Sequence, residues 1–293
     1  MYKTLKFKNF GNYLYIIPSV LVVVAIMGFP VVYNIFLSFF ESNIYSEELS
    51  FAGISTYIDI IKDPIFILAM KNTVIWTVLS VLFQIIIGCI AALTLNQNFI
   101  KGRGILRVLL LVSWVLPSIV GVTLWKWMYH ADFGIINEVL KFFGIVSENI
   151  SWLSGVNTAL YAAIIVNVWK YFPFTMLFIE ASLQNVPKEI EEAARLDGAN
   201  SIRTFTHIKL PHISGTLITL TLLLIIWAFN NFVFIFILTR GGPAHYSTIL
   251  SIYIWKIAFQ NFNFGKASTA SMILFIIIMI FTVFYNKFLN KED

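Results

Sequence analysis

Six apolar runs, near residues 13–40, 73–96, 105–128, 156–180, 213–239 and 267–288, constrain this chain more than any single motif. Each is long enough to cross a bilayer as a helix, which takes about 20 residues, whereas an outer-membrane barrel shows alternating segments of about 10. With 59% of residues hydrophobic and 12% charged, too little polar surface remains for a water-soluble domain. The sequence predicts an all-α, polytopic membrane protein with six transmembrane helices. The first run exceeds one crossing and carries Pro18 and Pro30, so it is expected to tilt, kink or extend beyond the bilayer.

Orientation follows from the lysines and arginines, which cytoplasmic loops retain. Lys3, Lys6 and Lys8 precede the first span, Lys101, Arg103 and Arg107 lie in the second loop, Lys188, Arg195, Arg203 and Lys209 in the fourth, and Lys287 and Lys291 in the tail. The first loop sets Lys62 and Lys71 among Glu41, Glu47, Glu48, Asp59 and Asp63, and the third has only Lys141. Both termini are therefore expected in the cytoplasm; Arg240, Lys256 and Lys266 in the fifth loop weaken the contrast without reversing it. The net charge of +5 reflects this sidedness rather than nucleic-acid binding. The N-terminal run is too long for a secretory signal and lacks a small-x-small cleavage site, so it reads as a retained span. Cys89, the single cysteine, reads as apolar packing.

Outside the spans, the segment beginning Ile54-Ser55-Thr56 sets Ile54, Tyr57 and Ile61 opposite Asp59 and Lys62, the pattern of a helix on a membrane surface or under a partner. A turn at Gly134 precedes a short amphipathic helix, and Gly241, Gly242 and Pro243 form another turn. Catalytic chemistry is missing: His130, His207, His212 and His245 form no HExxH or Cys/His metal spacing, and Gly265-Lys266-Ala267 fails the phosphate-loop pattern. The chain reads as a non-enzyme with no catalytic residue, no metal and no bound cofactor.

The charged insert between the fourth and fifth runs, residues 187–211, differs from everything around it. Pro187 suits a first helical turn, and Glu189, Glu191 and Glu192 put acid at the positive end of that helix. Gly198 can end it in the left-handed conformation, and Asn200 or Ser201 can cap a second short helix through Phe205 and Ile208 before Pro211 opens the fifth span. Such a hairpin fits a groove on another protein; equally, it could be a solvated loop.

Glu192-Ala193-Ala194, Gly198 and Ile208-x-Leu210-Pro211 match the EAA signature of the inner-membrane permease subunits of ATP-binding-cassette (ABC) importers. The similarity spans nearly the whole chain and is greatest to the maltose and multiple-sugar group, which blocks at Phe51, Gly102, Asp132, Asn231 and Phe264 also resemble. The resemblance implies a type I importer permease fold, one domain of 1–293 with core spans over about 70–288, and an EAA coupling helix within 187–211 seated in a cleft of the ATPase. Glu192, Ala193, Ala194, Gly198, Ile208, Leu210 and Pro211 would form that coupling element.

Within the membrane, Asn167, Lys170, Tyr171 and Phe174 recur at i, i+3, i+4 and i+7 on one face of the fourth span. Trp227 and Asn231 lie one turn apart in the fifth, near Val233. Amides and aromatic faces are what a sugar needs, although helix-to-helix packing uses the same residues. The maltose-type permeases line their sugar pocket at positions matching Asn167, Lys170, Tyr171, Phe174, Trp227, Asn231 and Val233. Lys170 departs from that apolar pattern and Ala228 replaces an amide. Lys170 could meet an anionic sugar, backbone carbonyls freed near Pro173, or a carboxylate on a partner.

The resemblance implies a bacterial cytoplasmic-membrane, multi-pass subunit that pairs with a second homologous permease. An ATPase dimer would dock from the cytosol and use ATP and Mg, and an extracellular or periplasmic solute-binding protein would deliver a mono- or oligosaccharide. Glycerol 3-phosphate or another polyol derivative is the alternative cargo. An ion-driven secondary carrier is the distant alternative, disfavoured because no span centre carries Asp or Glu.

Overall fold

A computed structural model describes residues 10–42, 49–97 and 100–289; Lys3, Lys6, Lys8, Glu47, Glu48 and Lys291, used above for orientation, lie outside the described residues. Those residues are mostly helical, and five helices are long and apolar enough to cross a membrane, with a sixth crossing available from a bent pair.

The chain divides into two compact units, each described separately. The first takes in Met1–Lys62 and Ile254–Ile276. Helix α1 (Phe10–Val23) passes through a π-helical turn at Val24–Gly28 into α2 (Phe29–Leu37). The span is therefore continuous through Pro18 and Pro30, not broken at either. Its physical means is visible at Pro30: a proline cannot donate to the fourth carbonyl back and its ring crowds that carbonyl. The wider turn, closed by Phe29 N donating to Val24 O, relieves the crowding just before the ring arrives. A two-stranded antiparallel ribbon follows, β1 (Phe40–Glu41) on β2 (Ser50–Phe51), with Phe40 opposite Phe51. Helix α3 (Ser55–Lys62) buries Thr56 and Ile60, so the face carrying Ile54 and Ile61 is the exposed one. Thr56 Oγ1 and Thr269 Oγ1 both donate to Ser38 O, and Gly265 lies so close to Phe40 O that a side chain could not fit.

The second unit comprises Asp63–Tyr253 and Ile277–Asp293. Helix α4 (Pro64–Leu95) starts about nine residues earlier than the hydropathy run, because the Asp63 carboxylate accepts from Ile65 N and Pro64 fills the first helical position. It packs along α8 (Ala159–Leu183), with Gly88 set against Thr175 and Met176, and both helices bury small residues, Ala69 and Ala92 on α4 and Ala159, Ala162 and Ala163 on α8. This close approach is how helices associate where apolar surface alone gives no preference. A Cβ on Gly88 would lie 2.7 Å from the Thr175 side chain.

The third predicted span departs from a straight crossing: α5 (Arg103–Val115) and α6 (Ser118–Met128) meet at 94°. Leu116 is forced into an extended backbone (ψ 138°) by the ring that follows it, and Pro117 withholds a donor from the turn behind. Helix α7 (Ile135–Phe142) starts after Gly134, as the sequence predicts. Beyond α8 come α9 (Lys188–Leu196), α10 (Ser201–Thr204) and α11 (Leu210–Phe229). The fifth predicted span ends at Phe229 rather than 239: the chain breaks over Asn230-Asn231-Phe232 and resumes as α12 (Val233–Leu238). Helix α12 packs on α6 and α8, and Lys126 Nζ caps it by donating to Ile237 O at 2.9 Å. Helices α13 (Leu250–Phe259) and α14 (Phe264–Leu289) complete the chain.

Candidate functional site

Two regions carry the residues singled out above, and the first is the 187–211 hairpin. Glu189 and Glu191 occupy the first turn of α9. The helix closes with Asp197 N donating to Ala193 O (3.0 Å) and Ala199 N to Ala194 O (2.9 Å), while Gly198 adopts φ +81° between them. Asn200 is the cap of the second helix: its Oδ1 accepts from Arg203 N at 2.8 Å.

The sequence predicts a separate short helix ahead of the fifth span, whereas the structure joins the two. A π-helical turn at Phe205–Lys209, closed by Leu210 N donating to Phe205 O, carries α10 into α11 and lets Pro211 sit inside the helix. The device is the one used before Pro30. Ser201–Phe229 is thus one continuous helix of 29 residues.

On the hairpin, Glu192, Ala193, Leu210 and Pro211 are exposed, Ala194 and Ile208 half-buried, and Leu196 and Ile202 stand out at 90% and 74% exposure. Two aliphatic side chains so bare on a short charged loop form a ready contact surface. Beneath them Glu191 pairs with Lys209 at 2.9 Å, both largely buried, which ties α9 to the start of the Ser201–Phe229 helix. That pair borders a polar cavity of about 520 Å³, also lined by Arg103, Lys188 and the Arg107–Glu180 pair. Arg107 binds Glu180 with two N–H groups, and the carboxylate is only 7% exposed against 36% for the guanidinium. Glu180 is the last residue of the fourth apolar run and its only acidic one. A lone carboxylate in an apolar span is the signal that calls for a partner.

The second region lies in the membrane. Asn167, Tyr171, Trp227 and Asn231 converge on one recess, joined by Gln84 from α4. Phe174 stacks beside it, 5.0 Å from Trp227, and Tyr171 lies 5.8 Å from the same indole. Val233 opens α12 and is not among the lining residues, and neither is Lys170. Instead Lys170 Nζ donates to the carbonyls of Ser113 (2.9 Å), Trp114 (2.8 Å) and Leu116 at the broken end of α5. Freed carbonyls are indeed its partners, but those before Pro117 rather than those near Pro173, which sits within an unbroken α8. The recess holds about 10 Å³, whereas small-molecule pockets hold roughly 300–1,000 Å³.

The polar stripe on α4 escaped the sequence reading. Asn72 donates to the carbonyls of His245, Tyr246 and Thr248, Trp76 Nε1 to Ala228 O, and Gln84 Nε2 to Asn167 O. With Thr73, Thr77 and Ser80 these residues recur on one helical face of an otherwise apolar span, and that periodicity is legible. Asn167 Oδ1 is buried without a protein donor.

Residues 84–291 match the model of the family described as binding-protein-dependent transport system inner membrane component. The trehalose/maltose transport system permease protein MalF of Thermococcus litoralis is 33% identical over 94% of this chain and 92% of its own length. The probable ABC transporter permease protein YurN of Bacillus subtilis is 31% identical over 96% and 97%, and the inner membrane ABC transporter permease protein YcjO of Escherichia coli is 32% identical over 93% and 92%. In fold, a chain of a bacterial ABC transporter involved in the import of the acidic polysaccharide alginate superposes with a TM-score of 0.82 at 21% identity, over 95% of this chain and 94% of that one.

Proposed function

Because this chain belongs to the family of binding-protein-dependent transport system inner membrane components, we propose that it carries a mono- or oligosaccharide across the membrane and couples that movement through the 187–211 hairpin. It is an integral membrane permease subunit of an ABC importer. In the proposed assembly it acts as one permease domain, both termini cytoplasmic, beside a second homologous permease. Two ATPase subunits below handle ATP and Mg, and a solute-binding protein delivers the sugar from outside; this chain supplies no catalytic group.

The hairpin is the observation that carries coupling. Glu192, Ala193 and Ala194 lie on α9, Gly198 forms its exposed terminator, and Ile208, Leu210 and Pro211 belong to the turn that fuses the second helix to the fifth span. Closure of the ATPase dimer would move this element, and the rod from Ser201 to Phe229 would swing the membrane face between an outward-open and an inward-open arrangement.

For the cargo, the buried and unpartnered Oδ1 of Asn167 beside Tyr171, Trp227 and Asn231 supports a hydroxyl-rich, ring-shaped ligand. The small size of the recess fits a site completed by domain rotation and by the second permease. Sugar is favoured over a phosphorylated polyol because Lys170, the cation of this face, is already engaged by backbone carbonyls.

A Cβ on Gly198 meets nothing within 4 Å, so crowding inside this chain does not demand glycine there. Replacing Gly198 with Leu in the assembled importer is expected to abolish substrate-stimulated ATP hydrolysis and uptake while the subunits still co-purify. Normal coupling in that variant would end the proposal.

A further inference from the structure

We propose that Lys170 is a positioning residue and Trp114 a substrate-facing one: the lysine pins the broken end of the third span so that the Trp114 ring joins Phe174 and Trp227 in a single wall for an uncharged sugar. The proposal rests on the sugar reading above and extends it to a span and a residue outside the predicted pocket.

The last carbonyls of a helix have no intrahelical donors, and at α5 the bend at Pro117 leaves Ser113, Trp114 and Leu116 in that condition. An ammonium has three protons, and each of these carbonyls accepts one from Lys170 Nζ. The charge also faces the negative end of the α5 dipole. Lys170 is 4% exposed, and no proton is left for a carboxylate or phosphate on the cargo.

Fixing the Trp114 carbonyl fixes where its side chain departs. Its ring stands 5.4 Å from Phe174 at 34°, and Phe174 stands 5.0 Å from Trp227 at 41°. Phe174 is buried, whereas Trp114 and Trp227 are 36% and 37% exposed. The third, fourth and fifth spans thus each contribute one ring, and two open indoles flank a buried phenyl. Sugars lay their C–H faces on such surfaces, and a wall whose cation is internally satisfied selects for neutral rings.

The test uses the assembled importer, isolated through a tag on this chain and labelled with 5-fluorotryptophan. The Trp114 and Trp227 fluorine resonances are assigned from Trp114→Phe and Trp227→Phe. Without sugar, Lys170→Met should shift or broaden the Trp114 resonance and Lys170→Arg should restore it in part; an unmoved resonance in Lys170→Met overturns the positioning role. Maltose, trehalose and glycerol 3-phosphate are then titrated. A shift of both resonances by a neutral sugar and none by glycerol 3-phosphate supports the proposal. A shift at Trp227 alone overturns the role of Trp114 and leaves the sugar site standing. A response confined to glycerol 3-phosphate, or no response to any of the three, overturns both. Uptake should fall about tenfold in Trp114→Ala, the scale of one lost apolar pocket contact, and less in Trp114→Phe.

Discussion

The 187–211 hairpin and the membrane face are built by opposite means. In the hairpin nearly every stabilising contact is local: Glu189 and Glu191 in the first turn, Gly198 at positive φ and the Asn200 cap lie within a dozen residues of one another. At the membrane face the partners are remote in sequence. Lys170 reaches carbonyls 54 to 57 residues away, Trp76 reaches Ala228 across 152, and Asn72 reaches Thr248 across 176. The difference teaches that the hairpin can form from its own local contacts, whereas the membrane face exists only when the helices have assembled. Damage should therefore separate: hairpin variants should lose coupling with stability kept, and membrane-face variants should lose stability first.

The largest expected effect is at Arg107. Arg107→Ala leaves the buried Glu180 carboxylate without its partner and should cost about 3 kcal/mol in thermal unfolding of the detergent-solubilised importer, since breaking a buried pair leaves an uncompensated charge. Glu180→Ala strands only the better-solvated guanidinium and should cost less. The reverse ranking would show that burial does not set the penalty.

Gly88→Ala comes next. The added methyl lands against Thr175 and the Met176 backbone, so α4 and α8 must separate, at about 2 kcal/mol by the same measurement. If it is tolerated without loss, the tight seam is not what holds the membrane face.

Gly198→Asn then sharpens the hairpin arm against Gly198→Leu. Asparagine visits positive φ more easily than other residues, so the turn should survive with an unfolding midpoint within about 0.5 kcal/mol of the parent. Coupled ATP hydrolysis should nonetheless drop several-fold if a partner packs against that position. Full activity in Gly198→Asn with none in Gly198→Leu would assign the role of glycine to backbone conformation rather than to fit.

The smallest effect is at Asn200. Asn200→Ala removes the bond to Arg203 N and should weaken the start of the second helix by about 1 kcal/mol. Hydrogen exchange should report this as faster exchange over residues 201–204 with α4 and α8 unchanged. Loss of protection in α4 or α8 would mean that the two regions are not independent.

Prolines show how far local sequence reaches. Pro18, Pro30, Pro117 and Pro173 fall in apolar runs and Pro211 just ahead of one, yet only Pro117 marks a sharp bend. Pro30 and Pro211 are absorbed by the π-helical turns before them, and Pro173 remains within α8. A ring in an apolar run announces a missing donor, but whether the helix widens or breaks depends on what satisfies the freed carbonyls. At Pro117 that is Lys170, a residue from another helix. The same limit applies to the pocket: the spacing of Asn167, Tyr171, Trp227 and Asn231 is legible and the structure gathers them, whereas Gln84 joins them, and Trp114 reaches Phe174, only through packing.

By itself, the sequence determined that this chain is built of apolar helices long enough to cross a membrane, where its charged hairpin begins and turns, and the family to which it belongs. Hydropathy, caps and glycine act over one or two turns, so they can be read along a line. Tertiary structure alone decided that the third span bends, that the hairpin runs into the fifth span as one rod, and that Lys170 serves the backbone of α5. In a medium without water every freed carbonyl must find a donor inside the protein, and which donor comes within reach is known only once the helices have packed.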